Sequence, residues 1–433
     1  MERVWTTELG RQVGRRVRLA GWLHRLRRLG NVTFLVLRDA RGTAQVVIED
    51  GALVERLAAL PAESVLVVEG LAVAEPQAPG GVELRQPAIE LVEAAAAPPP
   101  FDLFRPVLPA QLRTALDHAP LALRHPRRRA VFRIAAASMA AFRATLCEQG
   151  FTEIQTPKIV ASATEGGANV FALDYFGRPA YLAQSPQLYK QVMVGVFERV
   201  FEVGPVFRAE PHATARHLSE YVSLDAEMGF IVDHTTVMDV LTRVIAGIVA
   251  GVRAQAAEAV ALLGLTLPDV PAAIPWLHFA DGLDMISGAT GQDLRGEPDL
   301  APEHERWLGE WARREHGSDF LFVVGYPTAK RPFYTHPDPA RPAYSNSFDL
   351  LFRGMELVTG GQRLHRYDEY LAALAARGLR PEPFAAYLEA FRHGMPPHGG
   401  FAIGLERWVA RLTGAANIRE TTLFPRDIGR LAP

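Results

Sequence analysis

The sequence predicts an α+β protein with two domains, a small closed β-barrel followed by a larger domain that mixes strands and helices. The chain has 433 residues, more than one compact core of ordinary size accommodates. Residues 1–95 contain short apolar or alternating segments separated by glycine and proline. From about residue 128, a long amphipathic helical segment is followed by further strands and helices.

The first region predicts about five strands, with the helical segment GALVERLAAL between the third and the fourth. This pattern is typical of a five-stranded barrel of the OB type, whereas a β-sandwich would need more strands. The run AAAAPPP at 94–100 is an extended connector, because proline cannot continue a strand interior. We therefore predict a barrel domain over 1–97, a hinge over 98–127 and a second domain over 128–433.

The charge is nearly balanced over the whole chain but uneven along it. The formal net charge is −2, yet the first thirty residues contain eight arginines against two glutamates. Such a cluster indicates a surface that binds phosphates, with an ordinary solvated arginine face as the alternative.

The cysteine count and the hydropathy pattern exclude several classes of protein. Cys147 is the only cysteine, so neither an internal disulfide nor a multi-cysteine zinc site is possible, and we expect it on a buried helix face. The N-terminus has no apolar signal segment, and the apolar stretch 240–254 contains Arg243 and Arg253. That stretch is expected to be too short and too charged to span a bilayer, which favours a cytoplasmic protein without a membrane partner.

Two segments of the second domain indicate nucleotide chemistry. VFEVGPVFRAEPHATARHLSEYVSLDAEMGF (200–230) reads as two antiparallel strands, with Arg208 and Glu210 on one face of the first strand. An arginine here can form a bidentate contact with a phosphate, although a surface ion pair gives the same pattern. In HGGFAIGLERWVARL (398–412), a glycine-rich strand leads into a helix bearing Arg407. Glycines there allow the backbone to approach a ligand closely.

Together with GFTEIQTPKI (150–159), these segments resemble motifs 1, 2 and 3 of the class II aminoacyl-tRNA synthetases, with FRAE in motif 2 and GLER in motif 3. The barrel and the ending NIRETTLFPRD resemble the aspartyl, asparaginyl and lysyl subgroup, and the length is similar to that of the archaeal-type aspartyl enzymes. The resemblance implies an antiparallel catalytic sheet flanked by helices, a homodimer, and ATP with Mg²⁺ as cofactors. Catalytic roles pass to Arg208 and Arg407. The implied ATP contacts are Arg208, Glu210, His217, Leu218, Tyr221, Glu356 and Arg407, and the implied magnesium ligands are Asp349 and Glu356.

Three further segments, TEGGANVF (164–171), YLAQSPQLYKQ (181–191) and ELVTGGQR (356–363), resemble the substrate segments of the aspartyl enzymes. If Lys190 and Arg363 converge on a small pocket, their two positive charges require an anionic ligand. A neutral asparagine would leave one of the two cations poorly paired. Thr359 departs from the serine that is usual in the family. The implied aspartate contacts are Glu165, Gln187, Lys190, Asp225, Thr359 and Arg363, with Lys190 and Arg363 at the side-chain carboxylate.

The same resemblance makes 1–97 an anticodon-binding domain and 128–433 the catalytic domain. Phe34 would stack on an anticodon base, Gln45 would read a base edge, and Arg27 would hold phosphate or base. Relaxed members of the family, which charge both tRNA(Asp) and tRNA(Asn), tend to have histidine and proline where strict ones have tryptophan and lysine. This chain has His24 and Pro79 at those places, which predicts a non-discriminating enzyme that depends on a tRNA-dependent amidotransferase. Alternatively, both are ordinary loop residues.

Three other functions remain open from the sequence. An asparaginyl-tRNA synthetase is disfavoured by Lys190, and an amide-forming ligase on the same catalytic fold is disfavoured by the barrel. A non-catalytic nucleic-acid-binding protein is disfavoured because Arg208, Glu356 and Arg407 are all present.

Overall fold

The structure, a computed structural model, describes residues 2–30, 32–161, 169–212 and 214–432. The chain divides into two compact units, Met1–His125 and Pro126–Pro433. Residues 98–125, for which the sequence predicts most of a hinge, belong to the first unit in this division.

The barrel strands are β1 (Arg16–Leu29), β2 (Val32–Arg38), β3 (Thr43–Ile48), β4 (Val65–Ala74) and β5 (Val82–Glu93). They close in the order β1-β2-β3-β5-β4, so the β-sandwich alternative is wrong. Helix α1 (Gly51–Ala58) lies between the third and fourth strands, as predicted, and the Asp50 side chain caps it by accepting the Ala52 N–H. Leu35 and Val46 point inward with no exposed surface, because successive side chains alternate across a strand. Two short helices, α2 (Leu112–Asp117) and α3 (Ala119–Ala122), follow the barrel.

An eight-stranded sheet forms the centre of the second unit. Its strands and those of a smaller sheet are β6 (Thr152–Glu153), β7 (Ile159–Val160), β8 (Ala172–Tyr175), β9 (Arg178–Leu182), β10 (Arg199–Phe207), β11 (Glu220–Gly229), β12 (Trp276–His278), β13 (Phe320–Val324), β14 (Ser347–Phe352), β15 (Glu356–Gln362) and β16 (His398–Gly404). The large sheet has the order β12-β13-β14-β15-β16-β11-β10-β6, and the small one β7-β9-β8. The central pairs are antiparallel, as predicted, whereas the two outermost pairs, β12–β13 and β10–β6, are parallel.

Helices pack around this sheet. They are α4 (Pro126–Glu148), α5 (Gln187–Phe197), α6 (His234–Gln255), α7 (Ala257–Leu263), α8 (Phe279–Thr290), α9 (Pro302–His316), α10 (Tyr367–Ala376), α11 (Ala385–Arg392) and α12 (Leu405–Thr413). Helices α4 and α6 approach closely at two glycines of α6. A Cβ at Gly251 would lie 2.3 Å from the Cβ of Ala141, and one at Gly247 would lie 2.1 Å from Oγ1 of Thr145. Glycine is therefore required at this crossing.

Two expectations about the helices are wrong. Cys147 is exposed rather than buried, since it falls in the last turn of α4, away from the packed face. The stretch 240–254 lies within a helix of 22 residues, and α4 and α6 both have the length and apolar composition of membrane spans. In their most apolar windows, 50% and 56% of the residues are buried inside the protein, and the two helices pack on each other. Core helices have the same composition.

Candidate active site

A cavity of about 390 Å³ lies over the central strands of the second unit. Residues from β11, β15 and β16 line its floor, and α5, α12 and the β10–β11 connection line its walls. The structure brings together twelve of the predicted residues on this lining, namely Arg208, Glu210, His217, Leu218, Tyr221, Glu356, Arg407, Gln187, Lys190, Asp225, Thr359 and Arg363. Glu165 lies outside the described residues.

The β10–β11 connection begins with Arg208 and Glu210. The prediction that both lie on a strand is wrong, because β10 ends at Phe207 and regular pairing with β11 stops there. The backbone is still held, since Arg208 N–H donates to Ser219 O at 2.9 Å. The Arg208 guanidinium lies 5.9 Å from the centre of the Tyr221 ring, within the range of a cation–π contact. Arg208 is therefore held at the cavity wall by its backbone and by an aromatic ring.

His217 follows in the same connection. Its Nδ1 lies 2.6 Å from Oγ1 of Thr214. Burial, together with the nearby Arg407 charge, lowers the pKa of His217 below its ordinary value. The imidazole is therefore neutral at pH 7 and has both a donor and an acceptor nitrogen.

Glu356 and Arg407 face each other at one end of the cavity. Arg407 Nη1 lies 3.4 Å from Glu356 Oε1, and both side chains are about one third exposed. The Thr359 hydroxyl donates to the same carboxylate oxygen at 3.2 Å. The Thr359 hydroxyl thus lies on the Glu356 carboxylate.

Asp349 lies behind this wall. It is not among the residues that line the cavity, and its Oδ1 accepts from Arg331 Nη2 at 3.0 Å. Burial raises the pKa of Asp349 to about 6 against the opposing charge of Arg331, and the Glu356 carboxylate adds to the rise. A neighbouring like charge disfavours the ionised form of a buried carboxyl group.

The two carboxylates fit magnesium only in part. Within the described ranges, no group of three or more histidine, cysteine, aspartate or glutamate side chains is arranged to hold a metal ion. Magnesium is commonly held by one or two carboxylates, with water and substrate phosphates as its other ligands. Asp349 and Glu356 match that kind of site, which would be completed by a nucleotide.

At the other end of the cavity, Lys190 and Arg363 are both buried, with 1% and 6% of their surface exposed. This burial excludes a solvated role for Lys190. Lys190 Nζ lies 2.9 Å from Asp225 and 3.4 Å from Glu227, and Arg363 Nε lies 3.0 Å from Glu227. Arg363 and Lys190 hold the pKa of Glu227 below its ordinary value despite its burial.

These pairs correct one step of the sequence argument. The two cations do not lack anions, because Asp225 and Glu227 already balance both charges. A ligand at this end would therefore be distinguished by hydrogen-bond type rather than by net charge. Lysine and arginine only donate hydrogen bonds, so an end group made of two acceptor oxygens suits them best.

Glycine and glutamine residues complete this end. A Cβ at Gly400 would lie 2.1 Å from Glu227 Oε2, so glycine at 400 leaves the space that the carboxylate occupies. Gln184 Oε1 and Gln187 Nε2 are buried and have no hydrogen-bond partner within the described part of the chain. Buried polar atoms are seldom left unpaired, which indicates a polar ligand in this pocket.

Several residues around the cavity have no role predicted from the sequence. The strand period of β11 predicts the face on which Glu227 lies, whereas no sequence pattern predicts a role for Arg331, Arg216 or Glu305. Burial raises the pKa of Glu305 to about 7, and this side chain accepts the Glu356 N–H. The two-residue period of β11 is the signal for Glu227, and Arg216 directly precedes the predicted His217 in the same segment. Arg331 and Glu305 lie in a loop and on α9, in segments without a distinctive pattern.

Of the predicted anticodon contacts in the barrel, Arg27 and Pro79 are exposed and Phe34 is half-buried, whereas Gln45 is only 8% exposed, like His24. Arg27 is directly opposite Phe34 across β1 and β2, and Gln45 is paired with Glu83 across β3 and β5. Gln45 Nε2 donates to Glu83 Oε2 at 3.0 Å, and Arg85 Nε donates to its other oxygen at 2.8 Å. Glu83 was not predicted. Its carboxylate orients the Gln45 amide on the same face as Arg27 and Phe34.

His24 and Pro79 differ from this set. Pro79 is exposed in the turn before β5. His24 is only 8% exposed, because it sits at a bulge in β1, where its ring packs 5.4 Å from that of Phe104 and its Nδ1 lies 3.7 Å from Glu63. The role of His24 in leaving room for either anticodon base therefore stays a prediction.

Known proteins match both units. Residues 111–428 match the family described as tRNA synthetases class II (D, K and N), and residues 17–92 match the OB-fold nucleic acid binding domain. The chain is 48% identical to an aspartate--tRNA(Asp/Asn) ligase of Deinococcus radiodurans, covering 100% of this chain and 99% of that one. It is 47% identical to the enzyme of the same name from Thermus thermophilus, with 100% of both covered.

A solved structure agrees with these matches. The asparaginyl-tRNA synthetase of Pyrococcus horikoshii complexed with asparaginyl-adenylate is similar, with a TM-score of 0.92, 31% identity and 100% of both chains covered. The chain belongs to the class II aminoacyl-tRNA synthetases of the aspartate, lysine and asparagine group. The predicted fold class and family are confirmed, and the non-catalytic alternative is not supported.

Proposed function

We propose that this protein activates L-aspartate with ATP and transfers it to the 3′ end of tRNA(Asp) and also of tRNA(Asn). The observation that carries this proposal is the cavity itself, which has Arg208 and Arg407 at one end and the buried Lys190 and Arg363 at the other. The full-length similarity to aspartate--tRNA(Asp/Asn) ligases supports it.

In the first step, the α-carboxylate of aspartate attacks the α-phosphorus of ATP, and pyrophosphate leaves. Arg208 donates to the α-phosphate oxygens, where charge develops, and Arg407 covers the adenine and faces the polyphosphate. Glu210, His217, Leu218 and Tyr221 bind the rest of the nucleotide. No protein nucleophile is needed, because positioning and fixed charges supply most of the rate enhancement.

Aspartate is held at the opposite end. Lys190 and Arg363 donate to its side-chain carboxylate, and Asp225 and Gln187 accept from or orient its ammonium group. Thr359 and Glu165 belong to the same substrate set. An asparagine side chain would present an NH₂ group, a donor, to a lysine and an arginine that are also donors.

Magnesium would be held by Glu356 and Asp349. It would supply positive charge between the phosphates of ATP when bound. This role accounts for two neighbouring carboxylates beside the proposed phosphate end, one of which has a raised pKa.

In the second step, the terminal 3′-hydroxyl of the tRNA attacks the carbonyl of the adenylate, and AMP leaves. Residues 1–97 form the anticodon-binding domain, residues 128–433 the catalytic domain, and residues 98–127 the hinge between them. Phe34 stacks on an unpaired base, while Gln45 and Arg27 contact base edge and phosphate. The paired geometry of Arg27 and Phe34 supports this surface.

The protein is proposed to be non-discriminating. Pro79 lacks both a backbone donor and the cation of lysine, and His24 is smaller than tryptophan. The aspartate placed on tRNA(Asn) would be converted by a tRNA-dependent amidotransferase. We also propose a cytoplasmic homodimer, with Pro157 and α4 at its interface, for which light scattering at micromolar concentration should give twice the chain mass.

The direct test is attachment of radiolabelled aspartate to purified tRNA. Stable aspartyl-tRNA is the expected product. Formation of free amide product from aspartate and ammonia without tRNA would instead identify the amide-forming ligase, and charging with asparagine would identify the asparaginyl enzyme.

A further inference from the structure

Glu305 is a buried carboxylate beside the cavity, in the first turn of α9. Its Oε2 accepts the Glu356 N–H at 3.1 Å and lies 3.8 Å from Nη2 of Arg216. Glu356 begins β15, and Arg216 belongs to the β10–β11 connection, 140 positions earlier in the chain. One side chain from a third region thus links two segments that line the cavity.

The backbone fixes where Glu305 sits. Gly309, one turn further along α9, packs directly on Gly354 in the turn between β14 and β15, where a Cβ at 309 would lie 2.5 Å from the Gly354 backbone. Gly354 itself has φ +71°, which glycine adopts without strain. The helix therefore sits against this hairpin with no intervening side chain, and Glu305 is held at the start of β15.

The negative charge of Glu305 makes an interaction that is separate from its hydrogen bond to Glu356. A neutral glutamine oxygen could also accept the Glu356 N–H, whereas only a carboxylate carries the charge that attracts the Arg216 guanidinium. Arg216 is about one third exposed and lines the cavity near Glu356 and Arg407. A cation held there faces the end of the cavity that we assign to the polyphosphate.

We propose that Glu305 is a positioning residue that sets Arg216 and the first residue of β15 for binding the polyphosphate of ATP. This inference rests on the proposed function, since it assumes that ATP occupies this end of the cavity. It predicts that loss of Glu305 weakens ATP binding selectively, while the aspartate end, built on Lys190 and Arg363, is unaffected.

The test compares Glu305→Ala, Glu305→Gln and the control Glu310→Ala, an exposed glutamate on the same helix. Calorimetric titration with ATP, without amino acid, should show binding at least fivefold weaker for Glu305→Ala. Glu305→Gln, which keeps the acceptor for Glu356 but not the charge, should give an intermediate loss. Glu310→Ala should bind like the unmodified protein. In ATP–pyrophosphate exchange, the KM for ATP should rise while the KM for aspartate stays within twofold.

Normal ATP binding by Glu305→Ala with an unchanged melting temperature would overturn the inference. An equal loss for ATP and aspartate would overturn it too, because that result indicates a purely structural role. If Glu305→Ala does not fold, ATP binding and the two KM values are measured for Glu305→Gln instead, and they test the inference in the same way. Failure of the unmodified protein to exchange with any amino acid would instead reject the proposed function.

Discussion

Arg363 pairs with Glu227 beneath the floor of the cavity, with 3.0 Å between Nε and Oε1, and Lys190 lies 3.4 Å from the other oxygen of the same carboxylate. One buried glutamate thus holds together the two cations assigned to the substrate side chain. Removing Lys190 would leave the buried Asp225 without its cation, and removing Arg363 would take the nearer cation from Glu227. Breaking a buried ion pair in this way typically costs about 3–5 kcal/mol of stability.

Replacing Lys190 with methionine should abolish most aspartate activation and also lower the melting temperature. These effects can be separated with a second change. Lys190→Met combined with Asp225→Asn removes both charges of the 2.9 Å pair, so it should regain stability without regaining activity. Exchange assays and thermal melts on the two variants measure this. Recovery of aspartate activation in the double variant would show that Lys190 acts only by balancing Asp225.

The single substitutions Arg208→Ala and Arg407→Ala should each reduce the rate of adenylate formation. The loss of one preorganised phosphate contact costs roughly 3 kcal/mol in the transition state, or about a hundredfold or more in kcat/KM. Arg253→Ala, at an exposed site on α6, is the matched control. Exchange kinetics together with circular dichroism would check both. A variant with near-normal exchange would lose its place in the catalytic set.

The unmodified protein should charge tRNA(Asp) and tRNA(Asn) with aspartate at rates within a hundredfold, equivalent to about 2.7 kcal/mol. Pro79→Lys should increase the preference for tRNA(Asp), because an exposed lysine can reach a base or phosphate. The variant His24→Trp has to fit a larger ring beside Phe104, against which His24 packs. Aminoacylation of the two purified tRNAs measures the ratio. A larger preference in the unmodified protein would show that another residue reads the third anticodon base.

Stability should depend on pH through His398. Its Nδ1 lies 2.9 Å from Pro396 O and its Nε2 lies 3.1 Å from the Gln191 amide nitrogen, an arrangement that fits a neutral ring. Burial lowers the pKa of His398 from 6.5 to about 4. Below pH 6.5 the unfolded chain therefore takes up a proton that the folded protein excludes.

The contribution of His398 is thus complete above pH 6.5 and lost as the pH falls toward 4. The difference in unfolding free energy between the unmodified protein and His398→Gln should shrink by up to about 3 kcal/mol over that range. Taking the difference cancels the opposite effect of Glu305 and Glu406, whose pKa values burial raises to about 7. Urea unfolding at several pH values tests this, and a constant difference would refute it.

Much of the fold follows from the sequence because strand alternation and glycine punctuation are local signals. The succession of barrel strands along the chain, with one helix after the third, and the β11 face with Asp225 and Glu227 were predictable in this way. Burial was not. The end of β10 before Arg208, the exposure of Cys147 and the packing of His24 on Phe104 depend on neighbours that are distant in sequence or on where pairing stops.

In the cavity, too, some residues are recognisable from local sequence and others only from their three-dimensional neighbours. Arg208 and Arg407 lie in recognisable motifs, so resemblance located them. Glu305 and Arg331 come from segments with no distinctive pattern and gain their contacts only when the sheet brings Glu356 and Asp349 beside them. The anions that already balance Lys190 and Arg363 also became clear only in three dimensions.

Amino-acid-dependent ATP–pyrophosphate exchange, measured with each of the twenty amino acids, tests the central proposal most directly. We expect exchange with aspartate, and a kcat/KM for asparagine at least a hundredfold lower, which corresponds to about 2.7 kcal/mol. Lys190 and Arg363 are the reason, because both donate to a side chain that must accept. Equal or faster exchange with asparagine would contradict the assignment and identify the protein as an asparaginyl enzyme.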